Sequence, residues 1–209
     1  EIVQGIQHAF RDGLEVAFVA AALPSAIQAV TNDAAITFLR RAERFALGRV
    51  GSNDVAAALS EPINQSGRSI TTEALDLAVE ATQGYPFFVQ VVGHQVWAVD
   101  PSNPTIDADQ ARTGTTRAVT RAHRLLHQPA VTDASPQDQA FLQAMALDNG
   151  PSRIADLAKR LGVTTSYISR YRARLITAEL IEPAGHGLVR FAIPFLAEYL
   201  RKHRPLEPN

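Results

Sequence analysis

Arg170, Arg172 and Arg174 alternate along the stretch TSYISRYRARLI, Thr165 to Ile176, in the company of Tyr167 and Tyr171. Guanidinium forks and hydroxyls are the donors that proteins turn toward phosphates and base edges, so the stretch has the residue types for a nucleic-acid contact. On a helix that turns by about 100° per residue, taking Ile168 as inward places Tyr171, Arg172 and Leu175 within about 60° of it. Ser166, Tyr167, Arg170, Ala173 and Arg174 then fall on the opposite side. The spacing assigns Arg172, at the edge of the buried stripe, to a structural ion pair or to packing of its stem. It assigns Ser166, Tyr167, Arg170 and Arg174 to a major groove or to phosphates. Arg190, Arg153 and Lys159 are further candidates for contacts with a nucleic-acid backbone.

Other chemistry is sparse. His123 and His127 stand four apart, the spacing of a helical metal pair, but no third histidine or carboxylate follows at a recognisable interval, so no metal site is expected. There is no Gly-x-Ser-x-Gly elbow, paired carboxylates do not stand out, and no catalytic residue is assigned. The absence of cysteine excludes disulfides, thiolate metal sites and cysteine nucleophiles, and suits a reducing compartment.

The 209 residues carry 46% apolar side chains, enough for one large or several small cores, and a net charge of -1. That charge gives no global basic signature, so a nucleic-acid contact must come from a local patch. The most apolar run, Leu14 to Leu23, is far shorter than the roughly 20 residues of a membrane span, and the N-terminus has no basic region with a cleavage site. The expectation is a soluble, cytoplasmic protein without a membrane partner.

These candidate residues need elements to hold them. From Ser135 the pattern gives a capped helix to Leu147, a second helix from Ser152 to Gly162, and the arginine-bearing helix after Thr164 and Thr165. Leu180 to Pro183 and Leu188 to Ile193 then read as two strands around Ala184 to Gly187, followed by a helix over Pro194 to Arg204. Three helices, a hairpin and a last helix are the order of a winged helix-turn-helix.

Before it lies a helical middle: Ser52 to Ser60, which Glu61-Pro62 ends or kinks; Ile70 to Thr82, with a capping box at Thr71 or Thr72; Pro86 to Trp97 after a break at Gly84; and a polar helix from Asp107 to His127. That last helix carries Arg112, Arg117, Arg121 and Arg124 on several faces, as a solvated bridging helix does. At the N-terminus, Glu1 to Phe10 reads as a helix. Leu14 to Leu23 reads as a strand buried on both faces, with a buried helix as the alternative, Ser25 to Ala42 as a helix, and Arg44 to Val50 as a second strand. The expected class is mainly α with minor β. It comprises a remnant of an α/β nucleotide-binding layer (1–51), a helical lid (52–130) and a C-terminal winged helix-turn-helix (131–209).

Four stretches carry a resemblance: VAFVAAALPS (Val16 to Ser25), RRAERFALGRV (Arg40 to Val50), TQGYPFFVQVVGHQVW (Thr82 to Trp97) and the winged-helix pattern. Together they resemble the C-terminal part of a P-loop ATPase of the AAA+ and STAND class, in the Orc/Cdc6-like branch. The resemblance implies ATP and Mg²⁺ in the full-length protein, but neither the Gly-x-x-x-x-Gly-Lys-[Ser/Thr] loop nor the acidic strand end occurs in this sequence, so the chain is expected to lack an N-terminal ATPase core and to be inactive alone. It further implies a nucleotide-lid contact at Gly84, Tyr85 and Pro86. A candidate trans-acting arginine finger among Arg40, Arg41 and Arg44 would go with a homo-oligomer. The function expected is a nucleotide-switched lid and winged helix that binds duplex DNA. A winged-helix protein-docking module without DNA binding and a stand-alone transcription regulator are the alternatives.

Overall fold

The computed structural model describes residues 2–19, 41–43, 45 and 48–203. It is mainly helical with minor β structure, and its contacts divide the chain into two units, Glu1–Leu47 and Gly48–Asn209. In the first unit, helix α1 (Ile2–Arg11) forms where the sequence predicts it. The strand expected over Leu14 to Leu23 does not form in its described part. Residues 14–19 carry no strand pairing, and their side chains are open to solvent, Leu14 at 59% and Val19 at 93%. Apolar composition suits a buried strand but cannot supply the neighbouring strands it needs, and none pairs with it among the described residues. The strand expected over Arg44 to Val50 is likewise absent at 48–50, and the helix over Ser25 to Ala42 lies almost wholly outside the described residues.

The second unit starts with α2 (Ser52–Gln65), which runs through Pro62 instead of stopping there. Val55, Leu59 and Ile63 fall four apart on one buried stripe, and burial of Ile63 holds the last turn in place despite the missing proline donor. Next come β1 (Ser69–Ile70), α3 (Thr72–Thr82), α4 (Pro86–Trp97), β2 (Thr105–Ile106) and α5 (Ala108–Ala122). Thr71 caps α3 by accepting from the Ala74 amide at 3.2 Å, and Asp107 with Gln110 forms a reciprocal capping box on α5. The two short strands pair in parallel, Ser69 with Thr105 and Ile70 with Ile106. Arg68 locks this junction by donating to the carbonyls of Asn103, Trp97 and Asp100 at 2.9 to 3.0 Å, its guanidinium 4.4 Å from the Trp97 ring centroid.

Helices α4 and α5 pack closely because Gly114 has no side chain: a methyl there would lie 2.5 Å from the Val96 Cα. Helix α5 continues through a wider π-helical turn at His123–His127 into α6 (Gln128–Thr132). The sequence predicts the helix as far as His127 but not this change of pitch.

The rest of the unit is α7 (Pro136–Met145), β3 (Ser152–Arg153), α8 (Ile154–Leu161), α9 (Thr165–Thr177), β4 (Ile181–Pro183), β5 (Leu188–Phe191) and α10 (Leu196–Lys202). The strands form an antiparallel sheet in the order β3-β5-β4. Ser152 and Arg153, expected inside a helix, join that sheet, and the helix begins at Ile154. One buried cluster runs from Val55 and Phe88 through Phe141, Ile168 and Leu175 to Leu200, so residues 52–130 and 131–203 share a core without a break. Among the described residues, no helix is long and apolar enough to cross a membrane.

Candidate nucleic-acid interface

Helix α9 is capped by Thr164, whose hydroxyl accepts from the Tyr167 amide at 3.4 Å, and is anchored by Ile168, Tyr171 and Leu175, all buried. That stripe leaves Ser166, Tyr167 and Arg170 facing solvent, as the helical spacing predicts, and Ser169 is exposed beside them. Tyr167 is 49% exposed and stands edge-on to Tyr171 with ring centroids 5.3 Å apart. The Arg170 guanidinium lies 5.6 Å from the Tyr167 ring centroid, and among the described residues it has no carboxylate partner. Arg170 and Tyr167 therefore form one exposed unit, a cation held over an aromatic face with its N–H donors uncommitted.

Arg174 behaves differently. Its Nε donates to Asp138 Oδ2 and its Nη2 to Asp138 Oδ1, both at 2.7 Å, and the Asp138 side chain is only 6% exposed. Ser135, the N-cap of α7, donates its hydroxyl to the same carboxylate at 2.7 Å. The helical spacing assigns Arg172 to a structural ion pair or to packing of its stem, and Arg174 to a groove or to phosphates. In the structure Arg174 makes the pair, its stem carrying the fork back to α7, while Arg172 is half-buried and has no ion pair among the described residues. Asp138 carried a sequence signal, three residues after the capping Ser135, but nothing marked it as the partner of a residue 36 positions away.

Arg190 on β5 faces Glu182 on β4 across the strand register, its Nε 2.6 Å from Glu182 Oε1. Arg153 and Lys159 are exposed, on β3 and α8 respectively. The structure thus brings Tyr167 and Arg170 together, and ties Arg174 and Arg190 each to a carboxylate of the chain itself.

The turn at Gly84 is built around its own backbone. Gly84 has φ +68°, and a methyl there would lie 2.5 Å from the Val50 carbonyl oxygen, so glycine is required both for conformation and for space. The Gly84 amide donates to the Thr82 hydroxyl at 3.1 Å, the Tyr85 amide to the Thr82 carbonyl at 2.9 Å, and the Gly84 carbonyl accepts from Val50 at 2.7 Å. Pro86 has no amide hydrogen to give. The backbone of the turn has no donor left for a phosphate, and the Tyr85 hydroxyl is the remaining donor of these three residues. Burial, with Glu179 adding to it, pushes the Tyr85 hydroxyl above its usual range and keeps it neutral. Of the candidate finger residues, Arg41 is exposed, and Arg40 and Arg44 lie outside the described residues. Among the described residues, no group of three histidines or carboxylates is arranged to hold a metal ion.

Arg49, which sequence reasoning passed over, crosses between the two parts of this unit. Its Nη1 donates to the Gln83 carbonyl at 2.8 Å and its Nη2 to the Ala192 carbonyl at 2.9 Å, with Glu182 at 3.7 Å. The π-helical turn makes a second link. His127 is fully buried with its Nε2 2.8 Å from the Pro194 carbonyl, and since a carbonyl only accepts, Nε2 carries the proton. Its ring packs against Phe88 and Tyr199. Burial lowers the His127 pKa to about 4.

A domain family of unknown function, DUF8462, matches residues 124–200, from the π-helical turn into α10. No curated protein matches the chain. Two solved structures of variants of Thermotoga maritima RuvB are similar at 15% and 16% identity, with TM-scores of 0.34 and 0.33, over 76% of this chain and 51% of theirs. The chain spans about half the length of those RuvB chains, and a likeness this slight assigns neither fold nor activity.

Proposed function

We propose that residues 131–209 act as a winged helix whose α9 surface contacts duplex DNA, and that residues 52–130 are the lid of an AAA+-like ATP-binding protein. The observation that carries the DNA reading is the pair Tyr167 and Arg170: an uncommitted guanidinium stacked on an exposed ring, at the start of the helix that follows α8. Arginine in that position suits a bidentate contact to guanine or to phosphate. Three helices, with β3, β4 and β5 in one antiparallel sheet, support the winged-helix reading.

ATP and Mg²⁺ belong, in this reading, to a core of the family's kind. The part played by the Gly84 turn is mechanical, since Arg49 joins the carbonyl of Gln83 to that of Ala192 beside the β4–β5 hairpin. A shift of the turn would pull on the sheet that flanks α9. The docking-module reading draws support from Arg174 and Arg190, whose ion pairs leave fewer free cations on this surface.

The two readings separate in a binding experiment on a labelled duplex. Arg170→Ala is expected to weaken binding about tenfold or more, in line with the roughly 1–3 kcal/mol of a good arginine contact to a base. Equal affinity of Arg170→Ala and the parent removes the α9 contact, and no duplex binding by the parent leaves the docking module.

A further inference from the structure

Helix α5 and the π-helical turn that continues it carry a row of cations that the α9 surface does not explain. Arg117, Arg121 and Arg124 are all exposed. Among the described residues none of them has an ion-pair partner, whereas Arg112, five residues before Arg117, is held by Asp109 and Glu73 at 2.8 Å each. A spacing of four puts Arg117 and Arg121 within about 40° of one another on α5, and Arg124 follows in the π-helical turn. They line a shallow hollow of about 230 Å³ together with Gln95, Thr116 and Thr120. The hollow contains no carboxylate. The Thr116 and Thr120 hydroxyls donate back to the helix carbonyls of Arg112 and Thr116 at 3.0 Å, so the free donors that remain are the guanidinium groups and the Gln95 amide.

We propose that Arg117, Arg121 and Arg124 form a second phosphate-binding surface, which holds the backbone of a nucleic-acid strand with one guanidinium to each phosphate. Like charges one turn apart on a helix repel, so the row is relieved by an anion that the chain itself does not supply. A strand of nucleic acid presents anions at regular intervals along a line, whatever its sequence, and a line of cations along a helix complements it. A protein partner would also need a pocket for an aromatic or aliphatic anchor, and Gln95, the two threonines and the three arginines offer none. The surface lies on a different element from Tyr167 and Arg170 and does not depend on them.

The test is the salt dependence of binding to a short labelled DNA duplex, measured on the whole chain and on the exposed triple variant Arg117→Gln, Arg121→Gln, Arg124→Gln. Three lost phosphate contacts should lower the slope of log affinity against log salt by about 2.7, at about 0.9 for each contact. An unchanged slope, or no duplex binding by the parent chain, overturns the proposal. The Nε–Hε NMR signals of the arginines, followed through the same titration, keep the two surfaces apart. Shifts at Arg117, Arg121 and Arg124 with Arg170 silent uphold this surface and remove the α9 contact, and the reverse pattern removes this surface. Poly-glutamate shifting the signals of Arg117, Arg121 and Arg124 as strongly as the duplex, at equal charge concentration, also overturns it, since the occupant would then be an acidic protein.

Discussion

Arg174 grips Asp138 through two parallel hydrogen bonds of 2.7 Å, and it does so from a helix that otherwise offers its polar side to solvent. The carboxylate is buried and the guanidinium is 47% exposed. The pair therefore pins the outer half of α9 to the N-terminus of α7, and that attachment sets how Tyr167 and Arg170 are presented.

Removing the cation alone strands a buried carboxylate. Arg174→Ala is expected to cost about 2 kcal/mol in urea unfolding, reduced from the full penalty for a buried pair because the guanidinium is half in water. Arg172→Ala, which breaks no ion pair, should stay within about 0.5 kcal/mol of the parent. Equal losses for the two would mean that the pair contributes nothing specific.

His127 makes stability depend on pH. Its folded pKa of about 4 lies below the ordinary value near 6.5, so the folded state takes up its proton later than the unfolded state as pH falls. Its contribution is complete above about pH 6.5 and is lost progressively toward pH 4, with about 2 kcal/mol gone by pH 5. His127→Phe should flatten the fall in unfolding free energy between pH 7 and pH 5 by about that amount. An unchanged pH dependence would place the titration on other groups.

The same residue shows where the sequence falls silent. Caps at Thr71, Asp107, Ser135 and Thr164 and the stripe of Ile168, Tyr171 and Leu175 rest on local chemistry, so α3, α5, α7 and α9 and the exposed face of α9 were legible in advance. The π-helical turn was not, because its pitch answers to the packing of His127 against Pro194 and Tyr199, 67 and 72 positions away. Pro62 inside α2, Ser152 and Arg153 in the sheet, and the Arg174–Asp138 pair were missed for the same reason: tertiary packing overrode a local signal or supplied a distant partner. Arg49 and Arg68 gave no signal, since both spend their forks on backbone carbonyls, which no residue type announces.

Gly114 has a methyl's worth of space denied to it by the α4 backbone. Gly114→Ala should therefore destabilise by about 1–3 kcal/mol from overpacking, although alanine by itself favours a helix by up to about 1 kcal/mol. Chemical denaturation decides the sign. A stabilised variant would show that α4 and α5 can move apart at no cost.

Arg49→Met removes both carbonyl contacts and keeps much of the apolar stem. Amide exchange at Gly84 and Ala192 should quicken about fivefold, matching about 1 kcal/mol for charged hydrogen bonds at a partly exposed site. Unchanged exchange at both amides would mean that the bridge does not hold the Gly84 turn to the hairpin.

The central claim concerns the face that α9 turns outward. Its most direct measurement is the footprint of a DNA duplex on the backbone amides of the isotope-labelled chain, at low and at raised salt. The account predicts that Ser166, Tyr167 and Arg170 shift at low salt, that the shifts fade as salt rises, and that Arg170→Ala removes them. Saturating duplex that leaves those three amides in place would contradict it.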